Sequence, residues 1–160
     1  MNIFALDYNP LLAAQYHCDK HVVKMILETA QLLSTAHHIA NSEVAPFVYK
    51  KTHVNHPSAV WVRAHSQNYI WTLRLFTELL QEYTYRYGKE HSSAKLVHYL
   101  RQLPPNILLT YAITPFAQAM PDEFKNSDPI VAYRKYYAKG KNHLHTWTKR
   151  PQPEWLKEFL

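Results

Sequence analysis

Apolar residues recur along most of this chain at three- to four-residue spacing, with no run that alternates like a half-buried strand. Tyr69, Leu73, Phe76, Leu80 and Tyr83 repeat in this way and predict a helix over residues 67–87, with Ser66 as its cap and Gly88 as its stop. Asn9 before Pro10 is a cap followed by an N1 proline, and opens a long helix reaching about His38, with a break between His17 and Lys20. Asn55-His56-Pro57 starts another, running through Trp61 and Arg63 to His65. Ser92 or Ser93 caps a shorter one that Pro104-Pro105 ends near Gln102, and Asp128-Pro129 opens a last one that Gly140 stops. Residues 1–7 form a short apolar start, a strand or an extended lead-in. Residues 41–54 and 106–126 lack periodicity and carry Pro46, Pro115 and Pro121, so they read as a loop and an irregular wall or lid. The predicted fold class is mainly α, a single compact multi-helix domain over residues 1–160 with long irregular loops.

One helix departs from simple amphipathicity. At about 100° per residue, His17, His21, Lys24, Glu28 and Gln31 fall in a stripe roughly 80° wide. Val22, Val23, Met25, Ile26, Leu27, Ala30 and Leu33 fill the other directions. Such a helix is largely buried, and its polar seam needs partners or a cleft. Four readings stand side by side. His17 and His21, one turn apart, could share a metal ion with Asp19 or Glu28, but Asp19 points off that face and Glu28 lies two turns beyond His21. Cys18 could be a nucleophile, but helix neighbours diverge by about 100°, which separates it from His17 and favours a core thiol. The seam could be a satisfied structural core. Finally, an amine beside Glu28 could attack the anomeric carbon of a deoxyribose. An α-amine of ordinary pKa near 8 is about 10% neutral at pH 7 and a free lysine only about 0.04%, so the N-terminal amine is the easier nucleophile unless Lys20 or Lys24 is desolvated. By contrast, Arg74, Glu78, Glu82 and Arg86, four apart, read as a row of surface ion pairs and not as a site.

Composition narrows these choices. Two glycines in 160 residues exclude a Gly-rich phosphate loop, and the lone cysteine excludes an internal disulfide. No apolar run has the length of a membrane span and no signal peptide is evident, which predicts a soluble, cytoplasmic protein without a membrane partner. The net charge of +6 and a pI near 9.3 favour an anionic partner. From Tyr133 to Arg150 the chain places Arg134, Lys135, Lys139, Lys141, Lys149 and Arg150 with no carboxylate, interleaved with Tyr133, Tyr136, Tyr137 and Trp147. Cations attract phosphate and aromatic faces stack on bases, so this tail, with Lys50, Lys51 and His53 in the earlier loop, predicts contact with DNA.

These features together resemble the small pyrimidine-dimer DNA glycosylase/AP lyase family, also called endonuclease V, and especially a phage branch beginning Met-Asn-Ile-Phe. The shared order is a short N-terminus, a helix bearing Glu28, a basic loop with Asn55-His56-Pro57 followed by Trp61, and a long helix ending Arg86-Tyr87-Gly88 with His91-Ser92-Ser93. The stretch from Tyr133 to Lys139 completes it. The resemblance implies a helical domain that bends double-stranded DNA and flips a nucleotide, with an α-amine as nucleophile, Glu28 as the essential carboxylate and no cofactor or metal. It leaves the amine open, since Asn2 is a residue behind which the initiator Met is retained, so Met1, Lys20 or Lys24 could serve. Lys24 and His21 would hold phosphate or tune Glu28, and Met1 and Asn2 complete the expected catalytic set. The expected DNA contacts are His17, Lys20, Lys50, Lys51, His53, His56, Arg63, Tyr133, Arg134, Lys135, Tyr136, Tyr137, Lys139, Lys141, Trp147 and Arg150, made by a monomer. The substrate expected is a damaged or modified pyrimidine. A non-catalytic DNA-binding protein, or a phage enzyme acting on hypermodified pyrimidines, is the alternative.

Overall fold

The computed structural model describes residues 1–160, and it is mainly α with no strand. The six α-helices are α1 (Pro10–Tyr16), α2 (Asp19–Ile39), α3 (Pro57–Ala64), α4 (Ser66–Tyr87), α5 (Val97–Leu100) and α6 (Pro129–Gly140), joined by loops and short 3-10 turns. None is long and apolar enough to cross a membrane. α2 lies at the centre, packed on α4 and α3, while α1 lies on α4. All six helices feed one apolar cluster, which Trp155 and Leu156 of the tail complete.

The local signals act where they were expected. Asn9 accepts the N–H of Leu11 at 2.9 Å and Asp128 that of Ile130 at 2.9 Å, each beside an N1 proline, and Gly88 ends α4 at φ 68°. Other ends differ. Ser66 lies inside α4 and does not cap it. Its N–H donates to the Leu108 carbonyl at 2.8 Å, its hydroxyl accepts from Thr110 N, and Gln67 N donates to Thr110 Oγ1, so a distant loop satisfies the first N–H groups of the helix. His56 and His91, not Ser92 or Ser93, accept the first-turn N–H groups of their segments. Gly140 is the last residue of α6, without a left-handed turn.

The lead-in forms no regular element and has no ladder partner, and its Leu6 N–H closes a tight turn on the Phe4 carbonyl at 2.9 Å. Ile3, Phe4, Ala5 and Leu6 are at most 4% exposed and lie within the helical core. Arg134 Nε donates to the Leu6 carbonyl at 2.8 Å, compensating part of the buried backbone.

Between α1 and α2 the chain is extended at His17 and Cys18, and this break is held by groups from far along the sequence. Arg86 donates to the carbonyls of His17 (2.8 Å) and Gln15 (3.0 Å), two acceptors released where α1 ends. Cys18 N donates to the Tyr137 hydroxyl at 2.8 Å, Asp19 N to the Thr146 carbonyl at 2.8 Å, and Trp147 Nε1 to the Tyr16 carbonyl at 2.9 Å. Arg86 also pairs with Glu82 at 2.7 Å and Asp19 at 3.0 Å, and Glu82 accepts Arg150. Glu82 and Arg86 are 4% and 3% exposed, so only part of the predicted surface row is surface.

Removing one member of a buried ionic network strands its partners, at a cost of about 3–5 kcal/mol. Arg86→Met should therefore lower the unfolding free energy by about that amount, while the exposed Arg74→Met should change it by less than about 0.5 kcal/mol. Chemical denaturation of the two variants checks this; equal midpoints would show that the network carries no stability.

Candidate active site

The buried lead-in delivers the start of the chain to α2. The Met1 α-amine lies 2.8 Å from Glu28 Oε1. The Met1 side chain is 3% exposed although the residue as a whole is half-buried, so what faces outward is its main chain. Glu28 sits mid-helix with its side chain 10% exposed, close enough to solvent to stay paired and close enough to the core to be held in place.

Asn2 fixes the approach. Its Nδ2 donates to the Ala119 carbonyl at 2.9 Å and its Oδ1 accepts the N–H of Ile3 at 2.8 Å. The Ser58 hydroxyl lies 3.4 Å and the Tyr133 hydroxyl 3.3 Å from the same oxygen. Asn2 is thus a positioning residue with its amide turned inward, a correction to its expected place in the catalytic set. Ser58 and Tyr133 complete that seat; sequence spacing gave no sign of Ser58, which lies 56 residues from Asn2 and shows its role only through the packing of α3 on the lead-in.

The loop before α3 borders the pair. Thr52 N donates to Thr35 Oγ1 at 3.1 Å, two turns beyond Glu28 on α2, and Arg63 donates to the Val54 carbonyl at 2.7 Å. Lys50, Lys51 and His53 are exposed on this tethered loop, and His53 adopts φ 48°, a left-handed conformation uncommon outside glycine. His56 Nδ1 accepts the Ser58 N–H at 3.0 Å, which leaves the proton of the neutral ring on Nε2. Its pKa is lowered by burial first, then by the positive charges of the Met1 amine and His53, with Glu28 opposing. A neutral imidazole therefore stands within electrostatic reach of the amine and carboxylate.

The rest of the polar seam has other work. His17 is fully buried and caps the end of α1, so it neither lies on the α2 stripe nor reaches DNA. Its Nδ1–H donates to the Ala13 carbonyl at 2.6 Å, and Nε2 is buried without a partner. His21 is 3% exposed, stacked on Phe4 at 4.6 Å, and its Nδ1 accepts the Tyr137 hydroxyl at 3.0 Å; it is a core residue, not a phosphate ligand or a partner of Glu28. No three His, Cys, Asp or Glu side chains stand close enough together to hold a metal. Lys20 and Lys24 are exposed and form no ion pair, and Cys18 is a buried thiol.

The aromatic-basic tail divides in the same way. Tyr133 and Tyr137 are 0% exposed and serve the core, a correction to their expected stacking role. Arg134 is also structural: it pairs with Asp7 at 3.0 Å between the rings of Tyr16 and Trp155. Arg150 is held by Glu82, Trp147 by Tyr16, and Lys135 by the Glu123 carbonyl at 2.9 Å. Tyr136, Lys139 and Lys141 stay at least partly exposed, with the Lys141 ammonium 5.2 Å from the Tyr136 ring centre. Local amphipathicity of α6, which turns Ile130, Tyr133 and Tyr137 inward, separates the two groups.

An amine in contact with a carboxylate, beside a neutral imidazole and a basic loop, is equipped for nucleophilic attack by nitrogen with a proton acceptor at hand. The pair lines none of the main clefts; one of these, of about 510 Å³, lies between α4 and the segment Glu90 to Ala94. No protein-family model, curated protein or solved structure matches this chain.

Burial holds His17 neutral down to about pH 4, opposed by its bond to Ala13, and holds His21 neutral down to about pH 3, aided by the charges of His17, Lys141, Lys24 and His143. Unfolded histidines take up protons near pH 6.5, so this stability is complete above that pH. It falls as pH drops toward those lower values, by up to about 1.4 kcal/mol per pH unit for each ring. Thermal melts should show Tm falling steadily from pH 6.5 to 4.5, and His21→Phe should make the slope shallower without removing it, since burial also lowers His37, His56 and His91. A Tm constant over that range would contradict the burial of neutral rings.

Proposed function

We propose that the protein is a DNA glycosylase with AP-lyase chemistry that removes a damaged or modified pyrimidine from double-stranded DNA, with the Met1 amine as nucleophile and Glu28 as the acting carboxylate. The observation that carries this reading is the 2.8 Å contact between Met1 N and Glu28 Oε1 at a partly exposed position. The resemblance described above supports it, as does the exposed basic loop with Lys50, Lys51 and His53, tied to α2 through Thr52 and Thr35.

Reaction requires the neutral amine. Its lone pair attacks C1′, the bond from C1′ to the base breaks, and the base leaves with the bonding electrons and takes up a proton. The new C1′–N bond becomes an iminium as the ring oxygen O4′ departs and is protonated. Glu28, deprotonated, accepts the proton lost from the amine and stabilises the cationic sugar as charge develops. Removal of a C2′ proton then expels the 3′-phosphate by β-elimination, and water releases the amine. Asn2 keeps the nucleophile on the carboxylate side, and the exposed Lys24 lies one turn from Glu28 as a phosphate contact. The pocket that receives the extruded base would set which pyrimidine is taken.

A panel of duplexes carrying lesions and modified pyrimidines, scored for base release, tests this. At least one substrate should lose its base, and Glu28→Gln should slow release by at least about 100-fold while keeping its circular dichroism spectrum. Wild-type rates in that variant would remove Glu28 from the mechanism. Release from none of the panel, with salt-sensitive duplex binding retained, would instead favour a non-catalytic DNA-binding protein.

A further inference from the structure

Leu108, Leu109 and Tyr111 are 61%, 75% and 106% exposed, the most exposed group of large apolar side chains away from the chain end. They do not sit on a loose loop. The Leu108 carbonyl accepts Ser66 N at 2.8 Å, Thr110 N donates to Ser66 Oγ at 2.9 Å, and Gln67 N donates to Thr110 Oγ1 at 3.3 Å. Two further bonds join Thr114 to Asn68, at 3.0 Å and 2.9 Å, through an Asn68 side chain that is fully buried. The backbone is thus tied to the first turn of α4 while the apolar side chains point into water. Such a tip is costly to display and too rigid to fold them away.

Its position relates it to the amine. Trp61 Nε1 donates to the Thr114 carbonyl, and Ala119 meets Asn2, so the segment from the tip runs back along α3 to the start of the chain. α3 has eight residues and spans about 12 Å, the length of three to four base steps. Along the way Pro57, Val60 and Ala64 face solvent, one helical turn apart, and make an apolar ridge from the loop at His56 to the tip. The segments 50–77 and 91–121 that build this side of the molecule contain Lys50, Lys51, Arg63, Arg74, Lys95 and Arg101 and no Asp or Glu. The two segments are cationic and Asp128 is the carboxylate that shares a cleft with Ile113, Thr114 and Pro115, so an apolar point carried on them fits a stacked polyanion. Three side chains on one tight loop fall short of the roughly 800 Å² per partner that a stable dimer buries.

We propose that Leu108, Leu109 and Tyr111 form a wedge that enters the base stack of duplex DNA and opens it about three to four base steps from the nucleotide presented to Met1 and Glu28. This rests on the reading of the protein as acting on DNA. Wedge insertion costs a few kcal/mol of unstacking per step, which contacts from the surrounding cations would offset. A duplex opened and bent at that distance resists less when a base is drawn out of the stack at the site.

The test uses a duplex with 2-aminopurine about three to four base steps from an uncleavable abasic analogue, read at protein concentrations that saturate binding by anisotropy. Wild-type protein should raise 2-aminopurine emission at least threefold. The double variant Leu109→Ser, Tyr111→Ser, at positions whose exposure makes it compatible with folding, should show almost no rise, and Tyr111→Phe should retain it. A full rise from the double variant, or saturating wild-type binding without a rise, overturns the wedge. So does a wild-type dimer in sedimentation that the double variant dissolves with emission unaffected, which would assign the tip to a second copy. Borohydride reduction on an abasic duplex separates the two proposals: opened DNA without a covalent adduct keeps the wedge and removes the amine chemistry, and an adduct with unopened DNA does the reverse. No binding of duplex DNA by the wild type overturns both.

Discussion

The segment that begins the chain belongs to no helix or sheet, so the burial of Ile3, Phe4 and Leu6 is what holds Met1 against α2. Each of those side chains contributes roughly 1.5–3 kcal/mol when fully buried. For two charges taken largely out of water the cost of desolvation offsets most of their attraction, so the contact between the amine and Glu28 does not place the segment by itself. Apolar burial sets the position, and the 2.8 Å contact follows from it. Every property of the site depends on that order of causes: the amine faces outward because the side chains behind it are committed to the core. Asn2, tied to Ala119, turns the same burial into direction.

The core must in turn accommodate a broken helix at its centre. α1 and α2 part at His17 and Cys18, and the carbonyl groups freed there would be costly if left alone. Arg86, Tyr137 and Trp147 supply the missing donors, and Glu82, Asp19 and Arg150 balance the arginine. Tyr137, Trp147 and Arg150, which a linear reading assigns to DNA, are occupied in this way. What stays available at the surface is the loop with Lys50, Lys51 and His53, the lysines of α2, and the exposed side of α6.

The helices were legible because their signals are local: three- to four-residue periodicity, an N1 proline behind Asn9 or Asp128, and Gly88 at a left-handed stop. The break near His17 could also be read. The candidate pair was legible in part, since a stripe of polar residues on an apolar helix marked the face bearing Glu28, while chemistry favoured the N-terminal amine and left Lys20 and Lys24 open. The partners of charged residues were not legible. Arg134 meets Asp7 from 127 residues away and Arg150 meets Glu82 from 68, so their composition looked like a DNA surface. His21 shares the helical stripe with Glu28, but Phe4 covers it, and only tertiary packing reveals that. The capping of α4 by residues 108–110 was equally hidden, because the donors and acceptors lie more than forty residues apart.

The central claim is that the amine held by Glu28 forms the covalent bond to the sugar. The most direct measurement is mass-spectrometric mapping of the adduct trapped by borohydride on a duplex containing an abasic site. The account predicts a single modified peptide beginning at Met1, with the deoxyribose remnant on the α-nitrogen. A remnant on Lys20 or Lys24, or no adduct from a protein that releases bases at full rate, would contradict it.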